Sequence, residues 1–298
     1  MAGRSIGFIG LGMMGAGLAG NLLKAGHQVT GYDIVPEHVK KFVAAGGTAA
    51  DSSAAAARDA EFVCTVLPGP AELDAVVKGP QGIAGAMGDG ALLLDFSTVA
   101  PTDSEAVATV LAPAGARLLE TKMTGTPETA ATGQIDLFVG GSDEDLAMAR
   151  PLLEAICERI HHCGPLGKGA AMKLVFNTLG FTMQMVNAEM LVLARTAGLD
   201  LDLVLDALRG TGMWTGILEN VFPAKVFSRD FSPLFFTRLA QKDVRLATRM
   251  AAEIGAMTPF GNVTHQMFAM AAAAGYAEDN VTSHVKMWEQ VAGVELKR

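Results

Sequence analysis

Lys173 and Asn177 stand four residues apart in a stretch of helical character, a spacing that puts both on one helix face. An ammonium there can donate a proton, and an amide can orient a polar group. Partial desolvation in a cleft lowers a lysine's pKa and suits it to acid–base chemistry. Spacing alone favours a solvent-facing lysine beside an exposed asparagine. The glycine-rich approach Gly164-Pro165-Leu166-Gly167-Lys168-Gly169 shifts the balance, because it marks close backbone approach at a domain boundary, where ligand clefts form. A second constellation is Gly10-Leu11-Gly12-Met13-Met14-Gly15, a G-x-G-x-x-G pattern. It follows an apolar strand-like run and opens a helical pattern, the context in which such glycines hold a dinucleotide. Gly10 permits the tight turn, Gly12 lets the backbone approach a pyrophosphate at the positive end of the helix, and Gly15 lets helix and strand pack closely. Asp33 ends the next strand-like run, 23 residues after Gly10. A carboxylate there accepts from a ribose 2′-OH and repels a 2′-phosphate, and no Arg or Lys follows in residues 34–36, so NAD is favoured over NADP. Leu67-Pro68 and Ser97-Thr98 each follow a strand-like run, at the carboxyl ends where open α/β sheets bind ligands. The polar, small-residue loop 120–133 offers hydroxyls and backbone N–H groups to a carboxylate or other anion, though an ordinary loop has the same composition.

The elements that must position these residues alternate in the first half of the chain. Strand-like runs at 5–10, 28–32, 61–66, 91–95, 117–120 and 137–139 are interleaved with helical patterns at 14–25, 36–45 and 102–112. That alternation predicts βαβ units and a mostly parallel sheet, and the nearly continuous apolar runs 61–66 and 91–95 fit strands covered on both faces. The second half is read as all-α, with a long helix over 169–197 followed by helices at 202–208, 234–254, 259–274 and 280–291. Two domains follow, residues 1–166 and 167–298, with a hinge near 164–169.

Composition narrows the classes further. Half of the 298 residues are apolar and 18% are charged, which excludes a disordered chain. A net charge of −8 argues against a broad nucleic-acid-binding surface. The apolar stretches are broken by Asn, Gln, Thr or Gly before they reach about 20 residues, so no membrane partner is expected and the apolar surplus belongs in cores or in an oligomer. The start of the chain carries no signal-peptide pattern, and Cys64, Cys157 and Cys163 share no ligand spacing, which makes reduced thiols and a cytoplasmic location the default. His161-His162 precede Cys163, but adjacent residues on an extended segment point to opposite sides, and no metal is expected.

Taken together the motifs resemble the β-hydroxyacid dehydrogenases, the group of 3-hydroxyisobutyrate dehydrogenase and tartronate semialdehyde reductase, related to 6-phosphogluconate dehydrogenase. Residues 8–15 with 21–27 look like that family's N-terminal signature, residues 164–177 like its G-x-G-x-x-x-K-x-x-N segment, and Phe235 with Gln241-Lys242-Asp243 like its C-terminal F…KD segment. The resemblance implies a Rossmann domain joined by a long interdomain helix to an all-α domain, reversible NAD(P)-linked oxidation of a small β-hydroxy acid, and a homodimer or homotetramer. Lys173 would take the hydroxyl proton and Asn177 would help hold the substrate. Thr124 and Gly125 would bind the substrate carboxylate, and Phe235 and Lys242 would lie near the nicotinamide. The loop departs from the family's usual D-A-P-V-S-G-G. Here it reads Glu120-Thr121-Lys122-Met123-Thr124-Gly125-Thr126, so Lys122 brings a cation and Thr126 a hydroxyl towards the expected substrate site, where Trp214 is also expected. These changes fit an unusual hydroxy acid, a sulfonate-bearing analogue or a substrate with a larger hydrophobic group. Two other readings compete. One is a non-catalytic NAD-binding sensor or scaffold, which need not keep Lys173, Asn177 and Lys242 together. The other is an imine reductase variant, disfavoured by the acid/base lysine.

Overall fold

In the first half of the chain, short β-branched and leucine-rich runs give strands, and most are punctuated by glycine or proline before a helix starts. The computed structural model describes residues 3–298; Met1 and Ala2, the first two residues of the expected first domain, lie outside the described residues. Eight strands follow in order: β1 (Ser5–Ile9), β2 (Gln28–Tyr32), β3 (Thr48–Ala49), β4 (Phe62–Thr65), β5 (Leu92–Asp95), β6 (Arg117–Met123), β7 (Asp136–Gly140) and β8 (Arg159–His162). Between them run α1 (Met13–Lys24), α2 (Pro36–Ala44), α3 (Ser53–Ala57), α4 (Pro70–Lys78), α5 (Pro101–Leu111), α6 (Pro127–Ala131) and α7 (Asp143–Leu153). All eight strands form one sheet in the order β3-β2-β1-β4-β5-β6-β7-β8. Every pairing is parallel except β6 with β7. The order reverses between β1 and β4, the topological switch point at which doubly wound sheets take their ligand.

Both faces of the sheet are covered. Phe8, Leu18, Leu22, Phe62 and Leu94 belong to one apolar cluster, while Ile9, Val63, Leu73, Leu93 and Val107 belong to the other. Neighbouring residues of a strand therefore feed opposite clusters, as the period-2 geometry of a strand dictates. Burial of apolar surface stabilises by about 25 cal/mol per Å², so strands covered on both faces contribute to stability from both sides.

The expected strand–helix alternation is what the structure shows, with differences that have local causes. β3, α3, α4, α6, α7 and β8 are additional elements. β3 is only two residues long, and α4 begins at Pro70. Proline at the first helical position lacks no needed donor and presets φ for the helix. α7 is capped by the Ser142 hydroxyl, which accepts from the Asp145 N–H.

The chain divides into two compact units, one ending at Lys173 and the other spanning Leu174–Arg298. The division falls inside α8 (Lys168–Thr196), a 29-residue helix. The second unit continues with α9 (Leu201–Leu208), α10 (Thr237–Glu253), α11 (Pro259–Ala271) and α12 (Val285–Ala292). It carries two apolar clusters of its own, one around Leu191, Phe222 and Val285 and one around Phe181, Val244 and Phe268. The expected helix over 259–274 ends early, before Gly275, whose φ of 96° leaves the helical region. Among the described residues no helix is long and apolar enough to cross a membrane.

Candidate active site

β1 delivers the chain to Gly10, whose φ of +95° favours glycine, and a Cβ built there would lie 2.2 Å from the Val66 carbonyl oxygen. A Cβ on Gly15 would lie 1.9 Å from the Gly10 oxygen, so α1 and β1 meet at a distance that only glycine permits. Gly12 is different: a Cβ there would meet nothing within 4 Å. It is the N-cap of α1, and no side chain caps that helix. Open space over the start of a 12-residue helix, edged by glycine backbone, fits the pyrophosphate of a dinucleotide. Leu11 is buried, while Met13 is exposed and Met14 half-buried beside the same helix start.

Asp33 follows β2 directly and is held from two sides. Its Oδ2 accepts from the Leu11 N–H at 2.7 Å and its Oδ1 from the Val35 N–H at 2.8 Å. The carboxylate is thus fixed against the glycine turn, with the His38 ring nitrogen 3.3 Å away. A cavity of about 270 Å³ opens between α1 and α2, lined among others by Leu11, Gly12, Met13, His38 and Lys41. Across the switch point lie the loops after β4 and β5. Leu67 is half-buried, Pro68 exposed and Thr98 half-buried, and the Leu67 N–H donates to the Ser97 hydroxyl at 3.0 Å.

The loop after β6 is engaged in its own backbone. The Thr124 hydroxyl accepts from the Asp136 N–H at 3.2 Å. Gly125 has φ +96°, and Thr126 caps α6 by accepting from the Thr129 N–H at 3.4 Å. The hydroxyl that Thr126 adds to the expected family pattern is therefore used locally, and the Thr126 N–H donates in turn to the Thr129 hydroxyl at 2.8 Å. Lys122 requires a correction. Expected among the substrate-binding residues, it sits inside the sheet with no exposed surface, and its ammonium forms an ion pair with the buried carboxylate of Asp95. A lysine is almost never fully buried without such a partner.

Glu120, two residues earlier on β6, anchors the next part of the site. Its Oε2 accepts from the N–H groups of Gly167, Gly169 and Ala170 at 3.0, 3.1 and 3.3 Å. A fully buried carboxylate thereby takes the place of a helix cap at the start of α8, where negative charge also complements the helix dipole. Lys173 follows within one turn. Ala170, Lys173, Leu174, Asn177, Phe181, Gln184 and Met185 are all buried, at the spacing of one helix face. Lys173 and Asn177 therefore lie on the buried side of α8. The Asn177 Nδ2 donates to Asp243 Oδ2 at 2.7 Å, and the Lys242 ammonium lies 3.0 Å from Asp243 Oδ1. Asp243 thus orients the Asn177 amide. Phe235 stacks on Phe181 with centroids 5.8 Å apart. Trp214 lies under the Arg209 guanidinium, 5.0 Å from the ring centroid, and its indole N–H donates to Glu219.

Three residues that carry this arrangement do not stand out as site residues in the sequence: Glu120, Asp95 and Asp243. Glu120 and Asp95 are readable only as acids inside or ending apolar strands, an expensive placement that signals a buried partner. Asp243 is visible as the neighbour of Lys242. Among the described residues no group of three or more His, Cys, Asp or Glu side chains is placed to hold a metal ion.

Comparison with known proteins gives these features a family. The profile of the NAD binding domain of 6-phosphogluconate dehydrogenase matches residues 5–164, and that of the NAD-binding region of NADP-dependent 3-hydroxyisobutyrate dehydrogenase matches residues 167–288. The chain is 31% identical to a 3-sulfolactaldehyde reductase of Escherichia coli, with 98% of each chain covered. It is 33% identical to an NAD-dependent L-serine dehydrogenase of Pseudomonas aeruginosa, covering 97% of this chain and 99% of that one. The solved structure of Mycobacterium tuberculosis 3-hydroxyisobutyrate dehydrogenase with L-serine superposes with a TM-score of 0.87 at 30% identity, over 96% of this chain and 99% of that one. The chain belongs to the β-hydroxyacid dehydrogenase family, NAD(P)-dependent oxidoreductases of the 3-hydroxyisobutyrate dehydrogenase type.

Proposed function

We propose that the protein reversibly oxidises the hydroxyl of a small β-hydroxy acid to the aldehyde or ketone, with NAD as the redox partner. The observation that carries this reading is Lys173 on the buried face of α8, one turn from a helix start that Glu120 holds, with Asn177 on the same face and oriented by Asp243. A nicotinamide held at this site would supply the acceptor for the hydride of the hydroxyl-bearing carbon. Lys173, as the uncharged amine, takes the hydroxyl proton during oxidation and returns it during reduction. Such general acid–base help contributes about 10²–10⁴-fold to the rate. Asn177 holds a polar group of the substrate through its amide. Thr124, Gly125, Thr126 and Trp214 would meet the substrate, and the Thr124 hydroxyl, which accepts from the Asp136 N–H, keeps its own O–H to offer to a carboxylate.

The dinucleotide would be held by Gly10, Leu11, Gly12, Met13, Met14 and Gly15 at the start of α1, by Asp33 at the ribose, and by Leu67, Pro68 and Thr98 beyond the switch point. Phe235 and Lys242 would serve the nicotinamide end. Asp33, fixed by the Leu11 and Val35 amides, favours a 2′-hydroxyl over a 2′-phosphate, which supports NAD. Residues 1–166 would be the dinucleotide-binding domain and residues 167–298 the substrate and assembly domain. The exposed apolar stripe of α8, which includes Val175, Leu179, Val186, Met190 and Leu193, supports a homodimer or homotetramer, and a cytoplasmic location accompanies the reading.

The relatives are named for 3-sulfolactaldehyde, L-serine and 3-hydroxyisobutyrate, so the substrate panel should span carboxylates and sulfonates. Reduction of NAD⁺ is followed with 3-hydroxyisobutyrate, L-serine, hydroxy sulfonates and aryl-bearing β-hydroxy acids, and oxidation of NADH with the matching aldehydes. Turnover of at least one small β-hydroxy acid is expected. A purified protein that binds NADH and turns over none of them in either direction is a binding module, and the proposal fails.

A further inference from the structure

We propose that Lys122 is a positioning residue: paired with Asp95, it sets the two loops, after β4 and after β5, that face the dinucleotide. This role rests on the cofactor reading above. The pair has no exposed surface on the lysine and 1% on the aspartate, so neither charge is met by solvent. Burying two charges is costly, and such a pair persists only where its geometry is good enough to repay the desolvation. Here every oxygen of the Asp95 carboxylate is used. Oδ2 faces the Lys122 ammonium, while Oδ1 accepts from the Thr65 hydroxyl at 2.8 Å and from the Ser97 N–H at 3.1 Å.

The network then reaches the loops. With its N–H held by Asp95, Ser97 presents its hydroxyl to the Leu67 N–H at 3.0 Å. One ammonium on β6 is thereby connected through the ends of β5 and β4 to the backbone at Ser97 and Leu67, and both lie at the carboxyl ends of strands beside the switch point. A lysine serving only the core would be better replaced by an apolar residue of similar volume. What Lys122 adds is a fixed orientation of Asp95, and Asp95 fixes the loop amides. The family pattern that the loop resembles has proline at this position and no ammonium to offer.

The test uses Lys122→Met, the double variant Lys122→Met with Asp95→Asn, and Ser97→Ala in the full-length protein. NADH affinity is read by nicotinamide fluorescence, and the hydroxy-acid KM at saturating cofactor is read separately. Lys122→Met should weaken NADH binding about tenfold, because a lone buried carboxylate reorganises its surroundings. Ser97→Ala removes only the acceptor of the Leu67 N–H and should weaken it about 3- to 10-fold. The hydroxy-acid KM should stay within about twofold in both, since a hydrogen bond lost at the cofactor loops is not shared with the substrate. The double variant should recover most of the loss, because the asparagine side chain it introduces keeps an oxygen for Thr65 and Ser97 without an unpaired charge. If Lys122→Met does not fold, Ser97→Ala decides. Wild-type NADH affinity in Ser97→Ala, or a loss shared equally with the hydroxy-acid KM, overturns the proposal. If the wild-type protein binds no NADH, the cofactor reading has failed instead. Amide exchange at Leu67 then tests the positioning pair alone: faster exchange in both single variants supports it and unchanged exchange overturns it.

Discussion

Glu120→Ala should detach the start of α8 from the sheet. The carboxylate is fully buried and accepts three backbone N–H groups at 3.0–3.3 Å. A typical hydrogen bond contributes about 0.5–1.5 kcal/mol net, and buried donors left without partners cost more. Three bonds at about 1 kcal/mol each give a loss of about 3 kcal/mol, before any contribution from the helix dipole. Since 1.36 kcal/mol is a factor of ten, the Gly169 and Ala170 amides should exchange about 150-fold faster when measured under native conditions. Glu120→Gln keeps one oxygen acceptor and loses the charge, so its effect should be about 1 kcal/mol, or roughly fivefold. Lys173 lies within a turn of these amides, so kcat should fall in the same order, Gln less than Ala. The glycines agree with this geometry: a Cβ on Gly140 would lie 2.2 Å from Glu120 Oε2. Amide exchange at Gly169 and Ala170 within threefold of wild type in Glu120→Ala would refute the reasoning, because the cap would then carry no energy.

Two further predictions concern the cofactor and the second unit. Asp33→Ser should lower the ratio of kcat/KM for NADH over NADPH by at least about tenfold, since a hydrogen bond to a charged group contributes about 1.5–3 kcal/mol; an unchanged ratio in steady-state assays refutes the role of Asp33. His284 is fully buried against Phe268, its ring nitrogens have no hydrogen-bond partner among the described residues, and burial lowers its pKa to about 3. The unfolded chain therefore takes up a proton below pH 6.5 that the folded chain refuses, and stability falls as pH falls through that window. The loss reaches about 2 kcal/mol at pH 5, so urea unfolding of His284→Leu should lose about one proton of pH dependence between pH 5 and 6.5, and an identical slope in both proteins contradicts it.

The legible parts of the fold were those set by local pattern. The glycines at 10, 12 and 15 and the apolar runs of β4 and β5 fixed the first βαβ units, because each residue's role there depends on its neighbours in sequence. The Lys173–Asn177 spacing was legible for the same reason. Long-range polar pairing was not. Glu120 reaches residues 47 to 50 positions away, and Lys122 reaches 27 positions back to Asp95. No periodicity announces either pair, and Lys122 read from the loop alone looks like a cation for a ligand. Trp214 likewise reads as a loop aromatic until Arg209 and Glu219 are seen around it.

The most direct test of the central claim is single-turnover hydride transfer in Lys173→Ala with the best substrate from the panel, with cofactor binding measured alongside. If Lys173 is the acid/base, the rate falls about 10²–10⁴-fold, NADH affinity stays within about threefold of wild type, and the pH dependence that a lysine base imposes is lost. A hydride-transfer rate equal to that of the wild-type protein would contradict it.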